Sequence, residues 1–138
     1  MLKTRMMHPE ILGALASAGH GSKVLLADSN YPYSTASGPN AKRVFLNFAP
    51  GMLQVTDVLR VLAETIPIEM AEVMTPEHGT HPEIFLEFTN ILSGLELHPC
   101  GRFKFYEAVK SPDCCLVIAT GDERRFANLL LTIGEVHH

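Results

Sequence analysis

Apolar residues recur along this chain in two rhythms. Behind Pro9, which suits a first helical turn, Ile11, Leu12, Leu15 and Ala16 follow a helical period, and Gly19 is a natural stop. Val24 to Ala27 is a short unbroken apolar run, which reads as a buried strand ending at Asp28. Ser29 to Asn40 is rich in Ser, Gly, Pro and Asn and reads as a loop. Arg43 to Phe48 alternates enough for a second strand, broken by Pro50 and Gly51. Thr56 and Asp57 open a helix with Val58, Leu59, Leu62 and Ile66 on one side. Ile68 to Met74 predicts a third strand, stopped by Pro76. His81 to Glu83 opens a helix that turns Ile84, Phe85, Phe88, Ile91 and Leu92 inward. Phe103 to Lys110 predicts a short helix, Cys115 to Thr120 the strongest strand, and Ala127 to Leu131 a final strand. Strands alternating with helices give an α/β fold with helices covering a central sheet.

Composition narrows the class. The chain has 138 residues, 46% hydrophobic and 19% charged, the range of one folded globular domain over 1–138. No apolar run approaches the roughly 20 residues of a membrane helix, and Met1 to His8 lacks the apolar core of a secretory signal, so a cytoplasmic protein is expected. The net charge of −4 and the absence of a long basic run argue against nucleic acid as a partner. The odd count of three Cys, with Cys114 and Cys115 adjacent in an apolar segment, reads as reduced buried thiols. A mean hydropathy of +0.13 is high for a small chain and points to subunit contacts.

Three constellations carry candidate chemistry. His20 lies between Gly19 and Gly21, before a strand whose far end carries Asp28; an imidazole can give or take a proton near neutral pH. Asp28 stands past the carboxyl end of that strand, where open α/β sheets place ligand sites. Arg102 and Tyr106 are four apart on a predicted helix and share a face, so both can hydrogen-bond a polyol. Phe126, Ala127 and Asn128 follow a turn, and the Asn amide offers a donor and an acceptor to a sugar hydroxyl. Taken alone, each fits an ordinary loop or surface role better than a functional one. His78 and His81 are close, but Gly79 and Pro82 make their segment a loop rather than a rigid ligand face, and no metal site or cofactor is expected.

Read together and in order, these segments resemble the RbsD/FucU family of sugar mutarotases, the D-ribose pyranases and L-fucose mutarotases. Pro9 to Leu12 with Gly19-His20-Gly21 is similar to the family's "PEL…GHG" opening. Leu26 to Pro32 resembles "LADANFP", and Gly38-Pro39 with Arg43 resembles "GP…IR". Arg102 to Glu107 resembles "RFxFYE" of the fucose branch; the ribose branch has His where Tyr106 stands. Ala119 to Glu123 through Asn128 resembles "TGE…YGNIIL". The resemblance spans nearly the whole chain. It departs at Phe126, where the family usually has Tyr. It departs again after Arg43, where Val44 to Gly51 is closer to the ribose branch, and this mixture leaves the sugar open.

The resemblance implies a three-layer sandwich of the RbsD type, assembled into a ring, commonly a decamer, with sites at subunit interfaces. It implies His20 as proton donor and sugar contacts from Asp28, Arg102, Tyr106 and the segment Phe126, Ala127, Asn128. Mutarotation opens a pyranose to its aldehyde and recloses it; one positioned acid–base group, worth about 10²–10⁴-fold, suffices. His20 would protonate the ring oxygen, with Asp28 orienting it or the sugar. The absent phenol at Phe126 motivates an alternative, a non-catalytic monosaccharide-binding protein of the same fold. A purely structural ring subunit is a further possibility.

Overall fold

The computed structural model describes residues 1–138. The elements are α1 (Pro9–Ser17), β1 (Lys23–Ala27), β2 (Lys42–Phe45), α2 (Val55–Thr65), β3 (Ile68–Met74), α3 (Ile84–Ile91), β4 (Leu97–Cys100), α4 (Arg102–Val109), β5 (Cys114–Ala119) and β6 (Leu129–Ile133). All strands join one six-stranded sheet in the order β2-β5-β1-β6-β3-β4. β1 is parallel to β5, β5 to β2, and β3 to β4, while β6 runs antiparallel to both neighbours, β1 and β3. Five strands therefore end at one edge of the sheet, and β6 begins there.

Side-chain alternation divides the interior into two cores. Val24 and Leu26 of β1 and Leu129 and Leu131 of β6 point to one face, where they meet Ile11 of α1, Leu59 and Leu62 of α2 and Phe88 of α3. Leu25, Ala27 and Leu130 point to the other, where α4 supplies Phe105 and Val109 and the loop after β1 supplies Tyr31 and Ala36. The molecule is thus a helix–sheet–helix sandwich, as the alternation of elements predicted. β6 is buried at every position, which is why it reads as one continuous apolar run.

Several sequence-based bounds need correction. β4 is absent from the sequence reading. It has four residues including Pro99, and proline is tolerated because β4 is an edge strand paired only with β3. β2 stops at Phe45 rather than Phe48, because residues 46–53 fold back into a tight loop. β6 begins at Leu129, since Phe126 and Asn128 belong to the turn. The inward side of α1 is Ile11, Leu12, Ala14 and Leu15, and Ala16 is exposed. Cys114 is buried and Cys115 half-buried, both with free thiols; burial pushes the Cys114 thiol up to about 11.

A buried ion pair ties the turn between β5 and β6 to α2. The Asp122 carboxylate, wholly inaccessible, accepts from Arg124 Nε at 3.0 Å and Nη2 at 2.7 Å, and from the backbone N–H of Val55 at 2.9 Å. The last contact satisfies an orphan donor at the positive end of α2. Arg124 also reaches Thr56 Oγ1 at 3.1 Å and Glu87 at 2.8 Å, so one guanidinium joins α2, α3 and the turn. Gly121 lies so close to the loop after β2 that an added Cβ would meet Met52 O at 2.2 Å, so this position requires glycine.

Burial alone would raise the Asp122 carboxyl, but the Arg124 and Val55 hydrogen bonds outweigh it and hold it below the usual 3.8. Its stabilisation is therefore present above 3.8 and is lost as pH falls through the lowered native value. Asp122→Ala is expected to lower stability by about 3 kcal/mol, because Arg124 and the Val55 N–H lose their partner. Urea unfolding measures this, and the gap between wild type and variant should close at acid pH.

Candidate functional site

The carboxyl edge of the sheet carries a cleft of about 450 Å³. Asp28 enters it from the end of β1, Met74 from β3, Arg102 and Tyr106 from α4, and Arg125, Phe126 and Asn128 from the approach to β6; Asn30 and Tyr31 close the side. Because neighbouring strands end together, residues 100 apart in sequence become neighbours here.

The floor is a reciprocal clamp. Asp28 N–H donates to Asn128 Oδ1 at 2.8 Å, and Asn128 Nδ2 donates back to Asp28 Oδ2 at 3.0 Å. Asn30 N–H donates to Asp28 Oδ1 at 3.0 Å. Asp28 and Asn128 are each 4% exposed. Burial raises the Asp28 carboxyl above its usual range, and the hydrogen bonds from Asn30 and Asn128 offset this only in part. The fold thus favours the protonated carboxyl, a contribution present below 3.8 and lost as pH rises through the raised native value.

The walls are aromatic and basic. Arg102 Nε donates to Tyr106 Oη at 3.3 Å, and its guanidinium lies 5.7 Å from the centroids of both Phe103 and Tyr106. Tyr31 packs edge-on against Tyr106 at 5.5 Å and donates to Ala36 O at 2.9 Å. Tyr33 donates to the carbonyl of Asp28; burial first, then the Asp28 charge, pushes its phenol up to about 12. Phe126 has φ 62°, the left-handed region, costly for an aromatic residue, and packs against both cores at the sheet edge. Arg124, anchored by Asp122, secures the turn that holds it there.

The cleft brings together Asp28, Arg102, Tyr106, Phe126 and Asn128. The side chain of Ala127 is wholly buried in the core under the turn. His20 is elsewhere. It precedes β1, whereas Asp28 follows it, and a five-residue strand separates its ends by about 17 Å. The expectation that Asp28 orients His20 within one chain is therefore corrected. Its partners are Glu69, with both oxygens on Nε2 at 2.9 and 3.1 Å, and Glu135 on Nδ1 at 3.2 Å.

Asn30, Tyr31, Met74 and Arg125 also line the cleft and are not among the candidate site residues of the sequence. Asn30 and Tyr31 lie within the Leu26 to Pro32 segment, and Arg125 forms a basic pair with Arg124, but neither signal shows direction. A second, more apolar cleft lies between residues 5–8 and α2, but its arginines are already paired, Arg5 with Glu64 and Arg60 with Asp57.

The clamp generates a test. Asn128→Ala is expected to cost about 1–3 kcal/mol in urea unfolding, because the buried Asp28 N–H loses its acceptor. Asn128→Asp should destabilise more at neutral than at acid pH, because two adjacent carboxylates repel only when both are ionised.

Comparison with known proteins places the chain. The pattern of the RbsD / FucU transport protein family matches residues 1–136. The chain is 33% identical over 141 residues to a fucose mutarotase of Homo sapiens, covering 94% of this chain and 89% of the relative. It is 25% identical over 136 residues to a D-ribose pyranase of Coprothermobacter proteolyticus, covering 99% of each. Its fold matches that of Bacillus subtilis RbsD complexed with D-ribose, with a TM-score of 0.85 at 24% identity, over 99% of this chain and 100% of that one. With its whole length matched in pattern and fold, this chain belongs to the RbsD/FucU family.

Proposed function

We propose that this chain is a monosaccharide mutarotase, interconverting the anomers or ring forms of a sugar such as L-fucose or D-ribose by acid–base ring opening. The observation that carries this reading is the convergence of Asp28, Asn128, Arg102 and Tyr106 on one cleft, in a chain whose relatives are named fucose mutarotase and D-ribose pyranase. Arg102 and the Tyr106 phenol donate to sugar hydroxyls, and the free lone pairs of Asp28 accept from them. The buried, readily protonated Asp28 carboxyl suits a group that exchanges hydrogen bonds with the anomeric hydroxyl.

In the reaction a proton reaches the ring oxygen, the ionised Asp28 carboxylate takes one from the anomeric hydroxyl, and the bond between the anomeric carbon and the ring oxygen opens. Rotation of the aldehyde and closure on its other face reverse both transfers. His20 is the proton donor, and it comes from a second copy, because within one chain it sits at the opposite sheet edge. Setting the His20 edge of one copy against the cleft of the next is a head-to-tail contact, which closes into a ring, a decamer in the form the resemblance implies.

The surface supports such docking. Phe48 is 85% exposed, Met52 51% and Leu53 45%, on the loop that leaves the carboxyl end of β2, and Phe103 is 72% exposed on α4, which carries Arg102 and Tyr106. The accessible area is 7794 Å², against about 7,100 Å² for a monomer of this mass. The three free thiols fit a reducing, cytoplasmic setting. No helix is long and apolar enough to cross a membrane.

Phe126 favours a second reading, sugar binding without catalysis, because its ring lines the cleft and brings no hydroxyl. NMR saturation transfer between anomers of L-fucose and D-ribose separates the two. Faster exchange is expected, falling by about 10²–10⁴-fold in His20→Ala; sugar binding without faster exchange would instead establish the binding protein. Phe126→Tyr is expected to raise the rate, and a flat or lower rate would show that no phenol is needed there. Mixing unfolded and refolded His20→Ala and Asp28→Asn chains should restore part of the lost activity, since some sites then combine an intact His20 with an intact cleft. No restoration would mean that His20 does not act across copies.

A further inference from the structure

His20 has no ring nitrogen to spare. Glu69 sets both oxygens on Nε2, at 2.9 and 3.1 Å, and Glu135 Oε1 lies 3.2 Å from Nδ1. An imidazole nitrogen has one in-plane position for a hydrogen bond, so each carboxylate occupies a place that a sugar oxygen needs. The cleft has the opposite surplus. Arg125 lines it without an ion pair, whereas its neighbour Arg124 is engaged by Asp122 and Glu87. One edge of the sheet thus holds a carboxylate that blocks its imidazole, and the other holds a guanidinium with no partner in its own chain.

The two carboxylates on His20 are not equally placed. Glu69 belongs to β3, and Gly134 packs so closely that an added Cβ would meet Glu69 Cβ at 3.2 Å. The Gly134 N–H donates to Pro67 O at 2.9 Å and is the last backbone N–H of the chain to find a partner. Glu135 lies one residue beyond it on a tail without backbone hydrogen bonds, its side chain 55% exposed. Its contact with His20 is the longest of the three, and its other oxygen meets only the exposed His137, at 3.4 Å. Glu135 is therefore free to turn away from the ring, and Glu69 is not.

We propose that Glu135 is an interface residue: where the His20 edge of one copy meets the cleft of the next, its carboxylate leaves His20 Nδ1 and pairs with Arg125 of that next copy. The exchange frees Nδ1 to give its proton to the ring oxygen of the sugar, while Glu69 keeps Nε2 and holds the ring. The proposal rests on the reading of the cleft as a sugar site completed by His20 of a second copy. Charge complementarity carries it. The approaching edge brings two carboxylates around one imidazole, and Arg125 has no carboxylate of its own copy to leave. Opposite charges brought together at an interface fix its register and disfavour wrong pairings. A planar guanidinium also matches a carboxylate with two parallel hydrogen bonds, a better partner than one ring nitrogen.

The test combines sedimentation velocity over a dilution series with saturation transfer on L-fucose and D-ribose. Arg125→Glu and Glu135→Arg are each expected to weaken assembly about fivefold or more, and the two together to restore it. Arg125→Gln, at concentrations where sedimentation shows it assembled, is expected to slow exchange about fivefold, because Glu135 stays on Nδ1. Adding Glu135→Gln to that chain should return the rate to that of the wild type. Single charge reversals that assemble as well as the wild type overturn the proposal, as does a double reversal that stays dissociated with a native circular dichroism spectrum. A slow Arg125→Gln chain that Glu135→Gln does not rescue also overturns it, since Arg125 then acts on the sugar. A monomeric wild type that speeds exchange refutes this proposal and leaves the mutarotase activity standing. Assembly restored by the double reversal, without faster exchange of any sugar in the wild type, refutes the mutarotase reading alone.

Discussion

The reciprocal hydrogen bonds between Asp28 and Asn128 are the interaction on which the site depends. They join the exit of β1 to the entry of β6, two points 100 residues apart, with each amide or carboxyl satisfying the other. At a buried sheet edge, unpaired backbone groups are expensive. Satisfying the Asp28 N–H with a side chain frees the chain to leave the sheet at that point and form the cleft wall. The same contact holds a buried carboxyl, so the group that shapes the cleft is also an acid whose burial pushes it above its usual range.

A second constraint acts from behind. The Asp122–Arg124 pair fixes the turn between β5 and β6 against α2 and α3, and that turn presents Arg125, Phe126 and Asn128 to the cleft. The left-handed backbone at Phe126 is strained, and it persists because the neighbouring residues on both sides are pinned. Stability and site geometry are therefore coupled in this turn. Adjacent arginines have different tasks: Arg124 is structural, and Arg125 faces the cavity.

His20 sits at the opposite sheet edge from the cleft, so on the proposed reading a single copy is chemically incomplete. One edge offers hydroxyl-binding groups and a cleft, and the other offers an imidazole held between Glu69 and Glu135. Apolar side chains surround the first of these edges, where a second copy would cover them. In the proposed assembly, the contact that covers these apolar side chains would also deliver His20 to the cleft.

The sequence alone determined the α/β class with helices covering a central sheet, the burial of Cys114, and five candidate residues that the structure places in one cleft. Helical and strand periods report which face of an element is apolar, and short motifs with fixed spacing survive as local chemistry. It did not yield β4, because four residues with a proline carry no period, and edge pairing is decided by the partner strand. It could not separate Arg124 from Arg125, whose side chains diverge only once the turn is folded. Nor could it show that His20 and Asp28 lie apart, since eight residues of sequence read as proximity until a strand stretches them across the sheet. Those distances belong to the tertiary structure, because strand order and direction, rather than spacing along the chain, decide which side chains share an edge.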